Sequence, residues 1–238
     1  MKKRIPNTIT LLNLFLGCCA IVALFNQQHL LAIGFIFGGL VADFLDGALA
    51  RLLDVHSPLG KELDSFADMV TFGIVPGIIM YLLLARGLSE GNIGGQLQWS
   101  ALPGFVLSAF SGLRLAKFNL DTRQSQTFLG LPTPSVTIFV VGLLLICHFN
   151  SFQLGGFVGH PIFLYAVTAG LSYLLVSEIP MFSFKFQRLE WEGNEIKFIF
   201  VGIAVLIIVF LREAAPSFII LTYIIINLLL PLKGKKII

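Results

Sequence analysis

Four aspartates, Asp43, Asp46, Asp64 and Asp68, stand within 26 residues of a chain that has only 13 acidic residues in 238. Their spacing is helical: intervals of three and four residues return to one face. Asp43, Asp46, Gly47, Ala50 and Arg51 fall within an arc of roughly 140°, and Gly60, Asp64 and Asp68 within roughly 80°. A single aspartate there would read as a solvated interfacial charge. Four on two facing helices repel one another, and in a bilayer each costs about 2.5–3.5 kcal/mol at the centre. Hard divalent cations relieve that repulsion, and carboxylate oxygens are their preferred ligands. Arg51 adds a guanidinium suited to phosphate. Gly47, Ala50 and Gly60 lack bulk where the faces converge, which lets a ligand approach the backbone; small residues also serve helix packing. The chemistry expected is metal-assisted reaction of a phosphate-bearing substrate.

The elements that must position these groups follow from hydropathy. Hydrophobic residues make up 56% of the chain and charged residues 12%, with a mean hydropathy of +0.90. Soluble domains carry about 25% charged residues, so a water-soluble globule is excluded, and 23 Phe with long apolar runs exclude disorder. Eight apolar spans are expected, near residues 8–25, 30–50, 66–85, 100–118, 133–150, 161–177, 196–211 and 216–231. The last two are separated only by a break at 211–216, readable as a tight loop or as a kink. The spans leave room for one bundle and no appended soluble domain. The fold class expected is an all-α, polytopic integral membrane helix bundle. A connection of about a dozen residues is expected to make spans two and three antiparallel neighbours. The basic start resembles a secretory signal, but the spans that follow make the first one helix of the bundle.

Lys and Arg placement sets the orientation. With both termini in the cytoplasm, all 16 basic residues except Arg86 and Arg212 lie at or near the cytoplasmic face. The net charge of +3 is therefore read as topology and contact with anionic lipid, not as nucleic-acid binding. Cys18, Cys19 and Cys147 show no disulfide pattern, and the four histidines show no ligand spacing.

The whole stretch resembles the signature of the CDP-alcohol phosphatidyltransferase family. That pattern is Asp-x-x-Asp-Gly-x-x-Ala-Arg, eight residues, then Gly-x-x-x-Asp-x-x-x-Asp. Asp43, Asp46, Gly47, Ala50, Arg51, Gly60, Asp64 and Asp68 match every fixed position. Further segments are similar to one branch, the bacterial phosphatidylserine synthases with about eight spans: Ile5 to Leu14, Arg114-Leu-Ala-Lys117-Phe118-Asn119, Phe128 to Pro134, and Leu171 to Lys185. The resemblance implies a six-helix core, residues 1–195, followed by two additional spans and a basic tail, residues 196–238. It also implies a homodimer in the bacterial cytoplasmic (inner) membrane, with the active site facing the cytoplasm.

The implied reaction transfers a phosphatidyl group from CDP-diacylglycerol to L-serine, giving phosphatidylserine and CMP. On that resemblance Asp43, Asp46, Asp64 and Asp68 hold Mg²⁺ or Mn²⁺, and Asp68 is the general base. Gly47, Ala50, Gly60 and Arg51 meet the nucleotide and its phosphates. Asn7 and Thr10 are candidates to touch the nucleotide, or to cap the first helix. Arg114, Lys117 and Asn119 are candidates for the serine, or for positive-inside anchoring. Glycerol-3-phosphate, inositol phosphate or choline are alternative acceptors; the shortage of further cations near the aspartates favours serine. The rival of another class is a carboxylate-based ion or solute transporter. Such sites lie near the midplane between structural repeats, whereas these acids lie at span ends and no repeat is visible.

Overall fold

The computed structural model describes residues 4–55, 57–89, 97–120, 128–182 and 194–229. Eight long helices follow one another there: α1 (Arg4–Phe25), α2 (His29–Leu52), α3 (Pro58–Leu88), α4 (Val106–Leu120), α5 (Thr133–Phe149), α6 (Pro161–Val176), α7 (Glu195–Leu211) and α8 (Ala215–Leu229). A 3₁₀ segment, Trp99–Phe105, leads into α4. The eight expected spans are these eight helices. α1, α2 and α3 are each long and apolar enough to cross a membrane, and so is the α7–α8 segment taken together. Their large exposed residues, such as Phe15, Phe37 and Phe44, are apolar, the outward face of a bundle in lipid. The chain is an integral membrane protein. Lys2, Lys3, Arg123, Lys185, Arg188 and the tail lysines 233, 235 and 236, which entered the orientation reading, lie outside the described residues.

Two expectations about spans two and three need correction. Their connection is not a dozen residues; it is 53–57. α2 closes with Asp54 in the left-handed region, φ 49°. The N–H of Val55 donates to the Ala50 carbonyl at 2.9 Å and that of Asp54 to the Arg51 carbonyl at 3.2 Å, the paired bonds of a Schellman end. Two residues later Ser57 caps α3, its hydroxyl accepting from the Gly60 N–H at 3.4 Å, with Pro58 in the first turn. α3 therefore begins eight residues before the apolar run at 66, because capping rather than hydropathy fixes its start. Nor are α2 and α3 packed neighbours: α1 packs along α2 and against the first turns of α3, while α2 and α3 hardly meet. Gly39 makes that three-helix contact possible, since a Cβ there would meet Asn13 Oδ1 and Thr71 Cγ2, both at 2.9 Å.

α3 is the central helix. Between Pro58–Asp68 and Val75–Leu88 it widens into a π segment, Met69–Ile74. Phe72, Val75, Ile79, Met80 and Leu84 are fully buried there, with α1, α4, α5 and α6 around them. The break at 211–216 is a tight turn, Arg212–Ala214, after which α8 packs back against α7 and along α5. Within α7 only Phe200 is buried. A two-residue antiparallel pairing, Phe128↔Met181 and Leu129↔Pro180, joins the loops before α5 and after α6. α8 holds its second strand: Asn227 Oδ1 accepts from the Phe182 N–H, and the Tyr223 hydroxyl donates to the Phe182 carbonyl, each at 2.8 Å.

Candidate active site

The wide gap between α2 and α3 is where the acidic faces meet. Carboxylate oxygens of Asp43, Asp64 and Asp68 all lie within 4.8 Å of one another. Two oxygens on one Mg²⁺ ion stand at most about 4.2 Å apart, given bonds of 2.0–2.1 Å. A small rotamer adjustment therefore suffices to close the three around a hard cation. Asp68 Oδ1 is buried without a hydrogen-bond partner, an arrangement that is costly unless a ligand completes it. The residues fit a divalent metal.

Asp46 is placed differently. It is only 6% exposed, and the Thr10 hydroxyl donates to its Oδ2 at 2.5 Å. It stands outside the three-carboxylate group and lines an adjoining cavity of about 460 Å³. That cavity also takes in Asn7, Thr10, Gly47, Ala50, Gly60 and Asp64, so most of the expected nucleotide-binding set lines one cavity. Asn7 and Thr10 lie inside α1, which starts at Arg4, so neither is its cap. Gly60 approaches Asn7 closely: a Cβ there would meet Asn7 Oδ1 at 2.9 Å. Arg51 is exposed, with Nη1 3.5 Å from where a Gly47 Cβ would stand. Pro6, Val55, Ser57, Pro58 and Lys61 complete the lining. The Ser57-Pro58 pair is a readable helix-start signal that would have brought 55–61 to this site from sequence. On the outer side of Asp43, Leu40, Val41, Phe44 and Pro134 form an apolar recess of about 400 Å³.

The three serine-binding candidates separate in space. Arg114 is 7% exposed, its Nε is without a partner, and it lies within electrostatic reach of Asp68 and Tyr223. Lys117 is exposed. Asn119 is a strut between α4 and α3: its Nδ2 donates to Ser65 Oγ at 2.7 Å, and its carbonyl accepts from Lys61 Nζ at 3.1 Å. Sequence reasoning passed over Ser111 and Thr133, whose hydroxyls are buried and unpartnered. Ser111 faces the π segment, where its Cβ lies 3.3 Å from the position a Gly73 Cβ would take. Thr133 stands one turn before Thr137, whose hydroxyl donates to the Phe72 carbonyl at 3.3 Å, and so lies level with Asp68. Only the helix register places either residue, so no local sequence signal could have found them.

The π segment is clamped from three sides. The Ser108 hydroxyl donates to the Gly73 carbonyl at 2.8 Å, Thr137 holds Phe72, and the Thr71 hydroxyl donates to the Asn13 carbonyl at 3.2 Å. Widened turns of this kind gather at functional sites, and this one follows Asp68 directly.

The class defined by fold and site is a helical membrane bundle with a carboxylate cluster fit for a hard cation and an adjoining cavity at one end. The family model for CDP-alcohol phosphatidyltransferase matches residues 3–175, and the chain belongs to that family. It is 38% identical over 186 residues to the CDP-diacylglycerol–serine O-phosphatidyltransferase of Bacillus subtilis, covering 78% of this chain and 94% of that one. To the protein of the same name from Helicobacter pylori it is 34% identical over 209 residues, covering 87% and 81%. To that of Mycobacterium leprae it is 35% identical over 185 residues, covering 74% and 57%.

Proposed function

We propose that this protein transfers the phosphatidyl group of CDP-diacylglycerol to L-serine, releasing CMP. The carrying observation is the triple carboxylate cluster of Asp43, Asp64 and Asp68 beside a cavity walled by the family's small residues. The relatives' names supply the two substrates.

CDP-diacylglycerol enters sideways from lipid, its glycerol end along the apolar recess outside Asp43 and its nucleotide in the cavity between α1, α2 and α3. Asn7, Thr10, Gly47, Ala50 and Gly60 line the nucleotide, and Arg51 reaches a phosphate. A divalent ion, Mg²⁺ or Mn²⁺, bound by Asp43, Asp64 and Asp68 with Asp46 alongside, would neutralise pyrophosphate charge and stabilise departing CMP. The serine hydroxyl oxygen bonds to the phosphorus carrying diacylglycerol, the phosphoanhydride bond to CMP breaks, and the hydroxyl proton passes to the Asp68 carboxylate. Arg114 pairs with the serine carboxylate, supported by its burial beside Asp68 and its unpartnered Nε. Lys117 and Asn119 stand behind it, the first in the surrounding field and the second as a strut. Positioning and charge stabilisation supply most of the rate.

The acid end faces the cytoplasm of a bacterial inner membrane. Residues 1–195 form the transferase core, residues 196–238 are an addition to it whose α8 packs along α5, and the enzyme works as a homodimer. The test is CMP release by purified protein given CDP-diacylglycerol, Mg²⁺ or Mn²⁺, and in turn serine, glycerol-3-phosphate, inositol phosphate or choline. Release with serine alone is expected. Release with another acceptor would rename the alcohol, and no release with any acceptor would leave the transporter reading.

A further inference from the structure

The far end of α3 carries a second cavity, of about 560 Å³, walled by Arg86, His148, His160 and the small residues Gly155 and Gly156. Arg86 stands 22 residues beyond Asp64 on one helix, about 30 Å along the axis, a full hydrocarbon thickness from the acid cluster. His29 joins the group, its ring meeting that of His148 edge to face at 5.7 Å. Its Nδ1 is buried and unpartnered. Among the described residues no carboxylate lines this cavity. Arg212, the other basic residue assigned to this side by charge placement, has Glu213 at 3.7 Å.

A helix C-terminus accounts for Arg86 or His148 taken singly, since each sits in a last turn and stabilises the negative end of its helix. It does not account for a hollow among them. A guanidinium and two imidazoles around an open space, with His29 packed behind His148, favour an anion there, as the aspartates favour a cation. The available anion at that depth is fixed by the membrane: it is a phosphate at the headgroup level of the opposite leaflet. The exposed rings of Phe149, Phe152 and Phe157 flank the same loop, and α6 starts at Pro161 on the cavity wall with the positive end of its dipole.

We propose that this pocket binds the phosphodiester of an anionic phospholipid in the leaflet opposite the acid cluster. Arg86 makes the charge-assisted hydrogen bonds, and His148 and His160 close on the remaining phosphate oxygens. The glycines leave room for the headgroup.

The test is native mass spectrometry of the purified full chain in neutral detergent, titrated with phosphatidylglycerol, phosphatidylcholine or inorganic phosphate. The wild type should hold one phosphatidylglycerol more tightly than any phosphatidylcholine. Arg86→Gln should weaken that binding by about tenfold, the size of one charge-assisted contact, and a His148→Ala/His160→Ala variant should weaken it as well. Arg212→Gln should leave it unchanged. CMP release by Arg86→Gln should match the wild type, which shows the variant is folded. Equal retention of phosphatidylglycerol by wild type and Arg86→Gln would overturn the proposal. So would equal retention of phosphatidylcholine, or displacement of the lipid by inorganic phosphate at matched concentration.

Discussion

Asp68 differs from its three companions in what surrounds it. One oxygen is buried without a partner, and the buried Arg114 lies within electrostatic reach. Asp68→Asn keeps the shape and removes the base and a metal charge. Turnover should fall by at least about 10²–10⁴-fold while CDP-diacylglycerol still binds, read by CMP release against lipid-nucleotide binding; near-normal turnover would remove Asp68 from the base role. Thr10 acts through Asp46. Thr10→Val takes away the hydroxyl that donates at 2.5 Å, a charge-assisted bond of about 1.5 kcal/mol or more. Turnover should drop about tenfold with folding intact. Gly47 offers a cleaner probe of the cavity: a Cβ there meets nothing nearer than Arg51 Nη1 at 3.5 Å. Gly47→Ala should leave thermal stability alone and raise KM for CDP-diacylglycerol, because the added methyl occupies ligand space and not protein space.

At the scale of elements, the π segment Met69–Ile74 couples the site to three neighbouring helices. Its Phe72 and Gly73 carbonyls are taken by hydroxyls of α5 and α4, so Asp68 is set in height and rotation by side chains outside its own helix. Hydrogen bonds between membrane helices average about 0.6 kcal/mol. Ser108→Ala should therefore cost little stability, yet lower kcat with KM for CDP-diacylglycerol unchanged. A loss confined to thermal stability would mean that the clamp holds the bundle and not the reaction. The short turn 53–57 serves the same end, since the Schellman close of α2 and the Ser57 cap of α3 bring Gly60 against Asn7.

Across the whole molecule the charges are divided between two ends. Asp43, Asp64 and Asp68 gather at one, Arg86, His29, His148 and His160 at the other, and α3 spans the distance. In a variant with Cys18, Cys19 and Cys147 replaced, Lys117→Cys and Leu88→Cys should be labelled by an impermeant maleimide from opposite sides of the membrane. Labelling of Leu88→Cys from the outside of intact cells is the outcome expected of the proposed orientation.

Sequence by itself determined the eight helices and the acidic faces, because hydropathy and the 3.6-residue period are local properties of the chain. It also determined the family, since Asp43 to Asp68 carry the complete signature within one stretch. Local rules held less of the rest. The start of α3 was legible only in the Ser57-Pro58 pair, and the apolar run placed it eight residues too late. Tertiary structure alone decided that Asp46 turns to Thr10 while the other three aspartates converge. It alone brought Arg114, and not Asn119 or Lys117, into a buried position beside Asp68. It alone assembled Arg86, His148 and His160 around one cavity, with His29 against His148. The reason is physical: which side chains meet across helices depends on crossing geometry and register, and these are set by the packing of the whole bundle rather than by any segment of it.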